Sequence, residues 1–289
     1  MRRPGVVAAG ALALGFALLC GGCSVPQPDL VPGASSAVGS GLSVELLQLR
    51  TDYASRGLQL AVTNAGDAEV TVLSAGFASP FLVEPVTVPK APSVIAAGRT
   101  VNLSTTLSAP DCAGGAADPV VTLVIERATG PETVTVTPGD PHSSLESIHA
   151  GDCSRAAFEA VVGIAFAPPL RIPDAAGGGP ALLDLVLTPT GADGSVTLRS
   201  VGSTVLLSQV EGDARPVDLV LDGSDAPVTV TLSLRPARCD PHVVAEDKVG
   251  TLIPLRVDAG EFSDATFTVA ADPALKAQLF TWIAGYCAW

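Results

Sequence analysis

Apolar and polar residues alternate strictly along Val228-Thr229-Val230-Thr231-Leu232-Ser233-Leu234. Successive side chains of a strand point to opposite faces, so this run predicts a β-strand with one buried face and one wet face. Val101-Asn102-Leu103-Ser104-Thr105-Thr106-Leu107 carries a looser version of the same pattern. Leu58, Leu60 and Val62 alternate likewise. The turn residues Asn64-Ala65-Gly66-Asp67 follow, and Val70 and Val72 resume the alternation, which predicts a hairpin. Gly191-Ala192-Asp193-Gly194 and Asp222-Gly223-Ser224-Asp225 mark further turns.

The features recur in one order. Cys112 lies five residues after Leu107, and Cys239 lies five after Leu234. Each cysteine is followed by two alternating runs, Val120–Glu126 and Glu132–Thr137 in the first half, Thr251–Val257 and Ala265–Ala270 in the second. An Asp-Pro pair comes next, Asp140-Pro141 or Asp272-Pro273. Each half ends on a similar four, Ala150-Gly151-Asp152-Cys153 or Ala284-Gly285-Tyr286-Cys287. The repeat predicts an all-β chain of two tandem immunoglobulin-like β-sandwich domains, residues 42–154 and 155–289. Each holds about seven short strands at roughly ten-residue spacing. Each is closed by a short C-terminal helix: Asp caps it, Pro occupies its first turn and the following Gly ends it. In the second helix Leu275, Leu279, Trp282, Ile283 and Tyr286 share one face and are expected to pack on the sandwich. The next strand is placed from Ala157, with only three residues between it and Cys153, so the two sandwiches are expected to form a semi-rigid rod.

Composition adds an address. The chain has 289 residues, 47% of them apolar and only 16% charged, with 29 Gly and 24 Pro. Arg2 and Arg3 precede the apolar stretch Val6–Leu19, which is too short to span a bilayer comfortably. Cys20-Gly21-Gly22-Cys23-Ser24 then resembles the bacterial lipobox, which implies cleavage after a signal peptide of residues 1–22 and acylation of Cys23. Cys20 stands where that motif usually carries Leu. A buried methylene is worth about 0.8 kcal/mol, so two or more acyl chains hold durably. Residues 23–41, rich in Ser, Pro and Gly, read as a flexible tether with roughly 20–25 Å of reach. The expected location is the outer face of the cytoplasmic membrane. The net charge is −13. That excess of acid opposes nucleic acid and adsorption to anionic lipid.

Of six cysteines, Cys20 leaves with the signal and Cys23 takes the lipid. Four remain, and an even number in an exported chain predicts disulfides. Three pairings are possible, and the repeat selects Cys112–Cys153 with Cys239–Cys287. Each bridge would close a loop worth about 4 kcal/mol in the chain-entropy view.

Candidate chemistry is thin. There is no Gly-x-Ser-x-Gly elbow, no His-Glu-x-x-His and no glycine-rich phosphate loop before a helix, so neither catalysis nor a cofactor is expected. His142 and His149, with Asp140 or Asp152, are read as surface groups set too far apart along a helix to share a metal. Asp218, Asp222 and Asp225 fit a polar turn better than a calcium loop. Charge concentrates in Arg235-Pro236-Ala237-Arg238-Cys239-Asp240-Pro241-His242. Here the sequence resembles a group of actinobacterial lipoproteins that carry a similar Arg-Cys-Asp-x-His stretch and a cysteine near the C-terminus. The resemblance covers the second domain best and implies no activity. Arg235 and Arg238 beside His242 could hold a small anion, or Arg238 and Asp240 pair locally and brace the bridge. Trp289 is expected to be exposed and open to a partner. The function expected is a non-enzymatic, membrane-anchored interaction or structural module with an envelope-protein or cell-wall partner. The alternative is a small-anion or metal-ion receptor using the Arg235–His242 loop or the interdomain cleft. Nothing in the sequence sets an oligomeric state.

Overall fold

A computed structural model describes residues 41–115, 117–174 and 178–289. The signal segment, Cys23 and all but the last residue of the tether lie outside the described residues. In the first sandwich the strands are β1 (Leu42–Leu47), β2 (Gly57–Asn64), β3 (Val70–Ala78), β4 (Val86–Thr87), β5 (Ser93–Ile95), β6 (Thr100–Thr106), β7 (Val120–Arg127) and β8 (Gly130–Val136). Helix α1 (Ser144–Val161) leads into the second set: β9 (Val162–Arg171), β10 (Ala181–Pro189), β11 (Ser195–Gly202), β12 (Leu207–Gln209), β13 (Ala214–Asp222) and β14 (Val228–Pro236). Helix α2 (Pro241–Ala245), β15 (Leu252–Ala259), β16 (Phe262–Ala270) and α3 (Pro273–Cys287) complete the chain.

Two sheets face each other in each half. In the first half one sheet runs β1-β2-β6 and the other β4-β3-β7-β8, with β5 also on β3. In the second, β12-β14-β10-β9 opposes β13-β11-β15-β16. Counting β4 and β5 as one strand and leaving β12 aside, each half therefore sets its first, second and fifth strands against its third, fourth, sixth and seventh. That is the strand distribution of an immunoglobulin-like sandwich. The chain is all-β in architecture, with two such sandwiches and both cysteine pairs bridged as the repeat selected, Cys112–Cys153 and Cys239–Cys287.

Alternation explains the cores. Leu58, Leu60 and Val62 on β2 meet Val72, Phe77, Leu123 and Ile125 from the opposite sheet. Leu183, Leu185 and Leu187 on β10 do the same against Leu198, Leu255 and Val257. Each such side chain contributes about 1.5–3 kcal/mol on burial. The two clusters are separate, and α1 serves both: Leu145 belongs to the first, Phe158 and Val161 to the second.

Four expectations are corrected. β2 and β3 do not pair; they lie in opposite sheets, so residues 64–67 turn a corner between layers rather than a hairpin. Buried Asn64 builds that corner, its amide nitrogen donating to the Ala68 and Ile95 carbonyls while its oxygen accepts from Gly66 N–H. The first helix is not short. It runs through Cys153 to Val161, the next strand starts at Val162 rather than Ala157, and the 154/155 boundary falls inside it. Gly151 and Gly285 do not end their helices; α1 passes directly into extended backbone at Val162, and α3 ends on Ala288 in the left-handed region. Asp272 caps α3 with Pro273 in its first turn, as expected. At α1, by contrast, Pro141 precedes the helix, and Asp140 reaches forward to accept from Ser144 and Leu145 N–H at 2.8 Å each.

Candidate functional site

The charged loop singled out in the sequence lies open. Arg235, Arg238, Cys239, Asp240 and His242 are all exposed. Asp240 does not pair with Arg238. Its Oδ1 accepts from His242 N–H at 2.9 Å and Val243 N–H at 3.4 Å, capping α2. The first amides of a helix lack intrahelical acceptors, so the carboxylate is drawn to them. The loop braces α2 beside the Cys239–Cys287 bridge and lines none of the cavities described below. Trp289 is 48% exposed, and its backbone N–H donates to the Ala284 carbonyl.

Other polar groups meet, but satisfy one another. A cleft of about 480 Å³ between the sandwiches takes Tyr53 and Arg56 from one side and Arg155 and Phe267 from the other. Arg56 grips Asp152 Oδ2 at 2.7 and 2.9 Å and donates to the Ser108 carbonyl at 2.5 Å. Arg155 is bound to Glu159 at 2.8 Å. Arg56 thus spends all three of its nitrogens within the protein, while Arg155 uses Nε on Glu159 and Nη1 on the Thr268 carbonyl. Cys112, His149 and Cys153 bring one ligand-type atom each to within 4.8 Å of one another. The disulfide consumes both sulfurs, while His149 stacks on Phe81 and its Nε2 lies 3.0 Å from the Asp111 carbonyl. His142 lies in the turn before α1, not on the helix. Asp225 accepts from Asp222 N–H at 2.8 Å, which closes the expected polar turn.

On the outer face of the β13-β11-β15-β16 sheet, Arg199 pairs with Asp258 at 2.5 Å and Arg256 pairs with Asp264. The Arg199 hydrogen bond, then the Asp264 backbone N–H, hold the Asp258 carboxyl below its usual range. The hydrogen bond from Arg256 does the same to Asp264.

The remaining feature is a groove of about 400 Å³ between α3 and the chain leaving β9. Leu170, Ile172 and Gly178 form one wall; Ala277, Gln278, Thr281, Trp282, Gly285 and Tyr286 form the other. Its size and largely apolar walls are those of a small-molecule site. Gln278 pins the two walls together, its Oε1 accepting from Leu170 N–H at 2.8 Å. Trp282 is 4% exposed, and Tyr286 meets it edge-on, with centroids 5.9 Å apart. The Trp282 indole Nε1–H is buried and has no hydrogen-bond partner among the described residues. A buried donor left without a partner costs about 1–3 kcal/mol. Sequence periodicity placed Trp282 in the core and missed the groove residues around it. The available signal was Ala277, Thr281 and Gly285, three small side chains four residues apart along one helix face.

No family model and no curated protein matches the chain. Among solved structures it is similar to the calcium-binding domain CBD12 of CALX1.1, at 11% identity over 77% of this chain and 78% of that one, with a TM-score of 0.18. It is also similar to the CsuC-CsuE chaperone–tip adhesion subunit pre-assembly complex from archaic chaperone-usher Csu pili of Acinetobacter baumannii. That match has 10% identity over 73% of this chain and 91% of that one, with a TM-score of 0.18. At such scores the fold rests on the chain's own strand order.

Proposed function

We propose that this chain is a non-enzymatic binding module, anchored through Cys23 outside the cytoplasmic membrane, whose ligand occupies the α3 groove. The observation that carries the reading is the groove itself, about 400 Å³ with largely apolar walls along α3. The anchor rests on the Cys20–Ser24 stretch and the basic-then-apolar N-terminus, and two disulfides suit an exported chain. The non-enzymatic reading rests on the absence of nucleophile, metal and phosphate-loop motifs from the sequence. An envelope-protein or cell-wall partner would meet the sandwiches within reach of the tether.

Two experiments test it. An alkynyl fatty acid fed to cells should label the chain, and Cys23→Ala should abolish the label and release the protein to the medium. A denaturation screen of apolar compounds, small anions and divalent metals should give stabilisation only from apolar compounds, lost in Gly285→Leu. Stabilisation by phosphate or metal that disappears in Arg238→Ala would move the site to the charged loop and end this reading.

A further inference from the structure

We propose that the Cys239–Cys287 bridge is a thiol–disulfide exchange site, opened by a dithiol reductant while Cys112–Cys153 stays closed. Both bridges are formed, but their surroundings differ. Exchange needs a sulfur that an incoming thiolate can reach and a departing sulfur that can carry charge. Cys112 is exposed, yet its partner Cys153 is only 1% exposed. Attack at Cys112 would expel a thiolate into the interior, where burial disfavours it. Cys239 is exposed and Cys287 half-buried, so here the departing charge keeps water.

Charge separates the two bridges again. Asp111 precedes Cys112 and Asp152 precedes Cys153, and Arg56 is taken up by Asp152. The His149 ring beside them is stacked on Phe81, with Nε2 3.0 Å from the Asp111 carbonyl. Arg238 precedes Cys239, is exposed and enters no ion pair among the described residues. Cys287 Sγ lies 3.9 Å from the Arg238 carbonyl oxygen, so both sulfurs sit at this residue. Asp240, which follows, is turned onto the first amides of α2. A neighbouring guanidinium favours thiolates, both the one arriving and those released.

The step is a two-electron exchange. One thiolate of the dithiol attacks Cys239 Sγ, the bond between the two sulfurs breaks, and Cys287 leaves as thiolate. The reductant's second thiolate attacks its own sulfur in the mixed disulfide, closes a disulfide on the reductant and expels Cys239. The two protons of the dithiol end on Cys239 and Cys287. The last turn of α3, which carries Gly285 and Tyr286, then loses its clamp.

The full-length chain is treated with dithiothreitol under native conditions, alkylated at intervals and peptide-mapped. Cys239 and Cys287 should be alkylated about tenfold faster than Cys112 and Cys153, or more. Arg238→Gln should slow that opening about threefold at low salt, a difference that about 0.5 M salt erases. A Cys-x-x-Cys reductant lacking its second cysteine should be trapped on Cys239. Hydrogen exchange in the last turn of α3 should rise once the bridge is open, while that of β7 and β8 should not. Opening of both bridges at one rate, or of Cys112–Cys153 first, overturns the proposal. So does a reductant trapped anywhere but Cys239, or an opening rate that Arg238→Gln leaves unchanged. Unchanged exchange in α3 after opening overturns the release of the helix.

Discussion

Asp258 and Asp264 owe their low pKa values to arginines on an exposed sheet face. A carboxyl depressed in the folded state stabilises above its unfolded pKa and loses that contribution as pH falls through the folded value. The ordinary value is 3.8, so the loss falls below it. We expect the Tm of Asp258→Asn/Asp264→Asn to fall less steeply than that of the parent between pH about 5 and about 2, followed by circular dichroism. The effect is small, because exposed pairs are screened. Asn at 264 also tolerates the local left-handed backbone, where φ is 58°. Gly223 is a sharper case. A Cβ there would lie 1.9 Å from the Ala192 carbonyl oxygen, and the Gly223 carbonyl accepts from Gly191 N–H at 2.8 Å. Two turns interlock at this point, so Gly223→Ala should cost about 3 kcal/mol or more in urea denaturation.

α1 behaves differently from the element expected. Gly151 sits inside it, where an added Cβ would come no nearer than 3.6 Å to the Thr266 carbonyl. Gly151→Ala should therefore stabilise by about 0.5–1 kcal/mol, read as a raised Tm, because glycine gives up the most backbone freedom in a helix. Strand content was legible because alternation is a local signal: Val228–Leu234 lies within β14 and Val120–Glu126 within β7. Strand partners were not. Leu58–Val62 and Val70–Val72 present the same alternation whether they pair or part, and only Asn64, bonding across the corner to Ile95, distinguishes the two. The helix length was misread because Gly151 suggested an end, whereas packing of Phe158 and Val161 into the second core carries the helix onward. The burial of Trp282 followed from its place on the apolar stripe of α3. Its N–H, without a partner among the described residues, did not, since partners are set by tertiary packing.

At the scale of the molecule, one helix inserts into two cores, and one bridge fastens that helix near its middle. Cys112–Cys153 and Cys239–Cys287 span 41 and 48 residues. Loss of either, as in Cys112→Ser/Cys153→Ser, should lower stability by about 4 kcal/mol in denaturant titration. The bridges also decide what tension can reach. If the anchor pulls at one end while a bound partner pulls at the other, force crosses from residue 112 to 153 and from 239 to 287 through sulfur. It bypasses β7, β8, β15 and β16 altogether. At 3.3–3.6 Å per residue, roughly 140 and 160 Å of chain are thereby withheld from stretching. Under load the chain between the bridged cysteines is not drawn out, and reducing the sulfurs should release that slack as two discrete gains in extension.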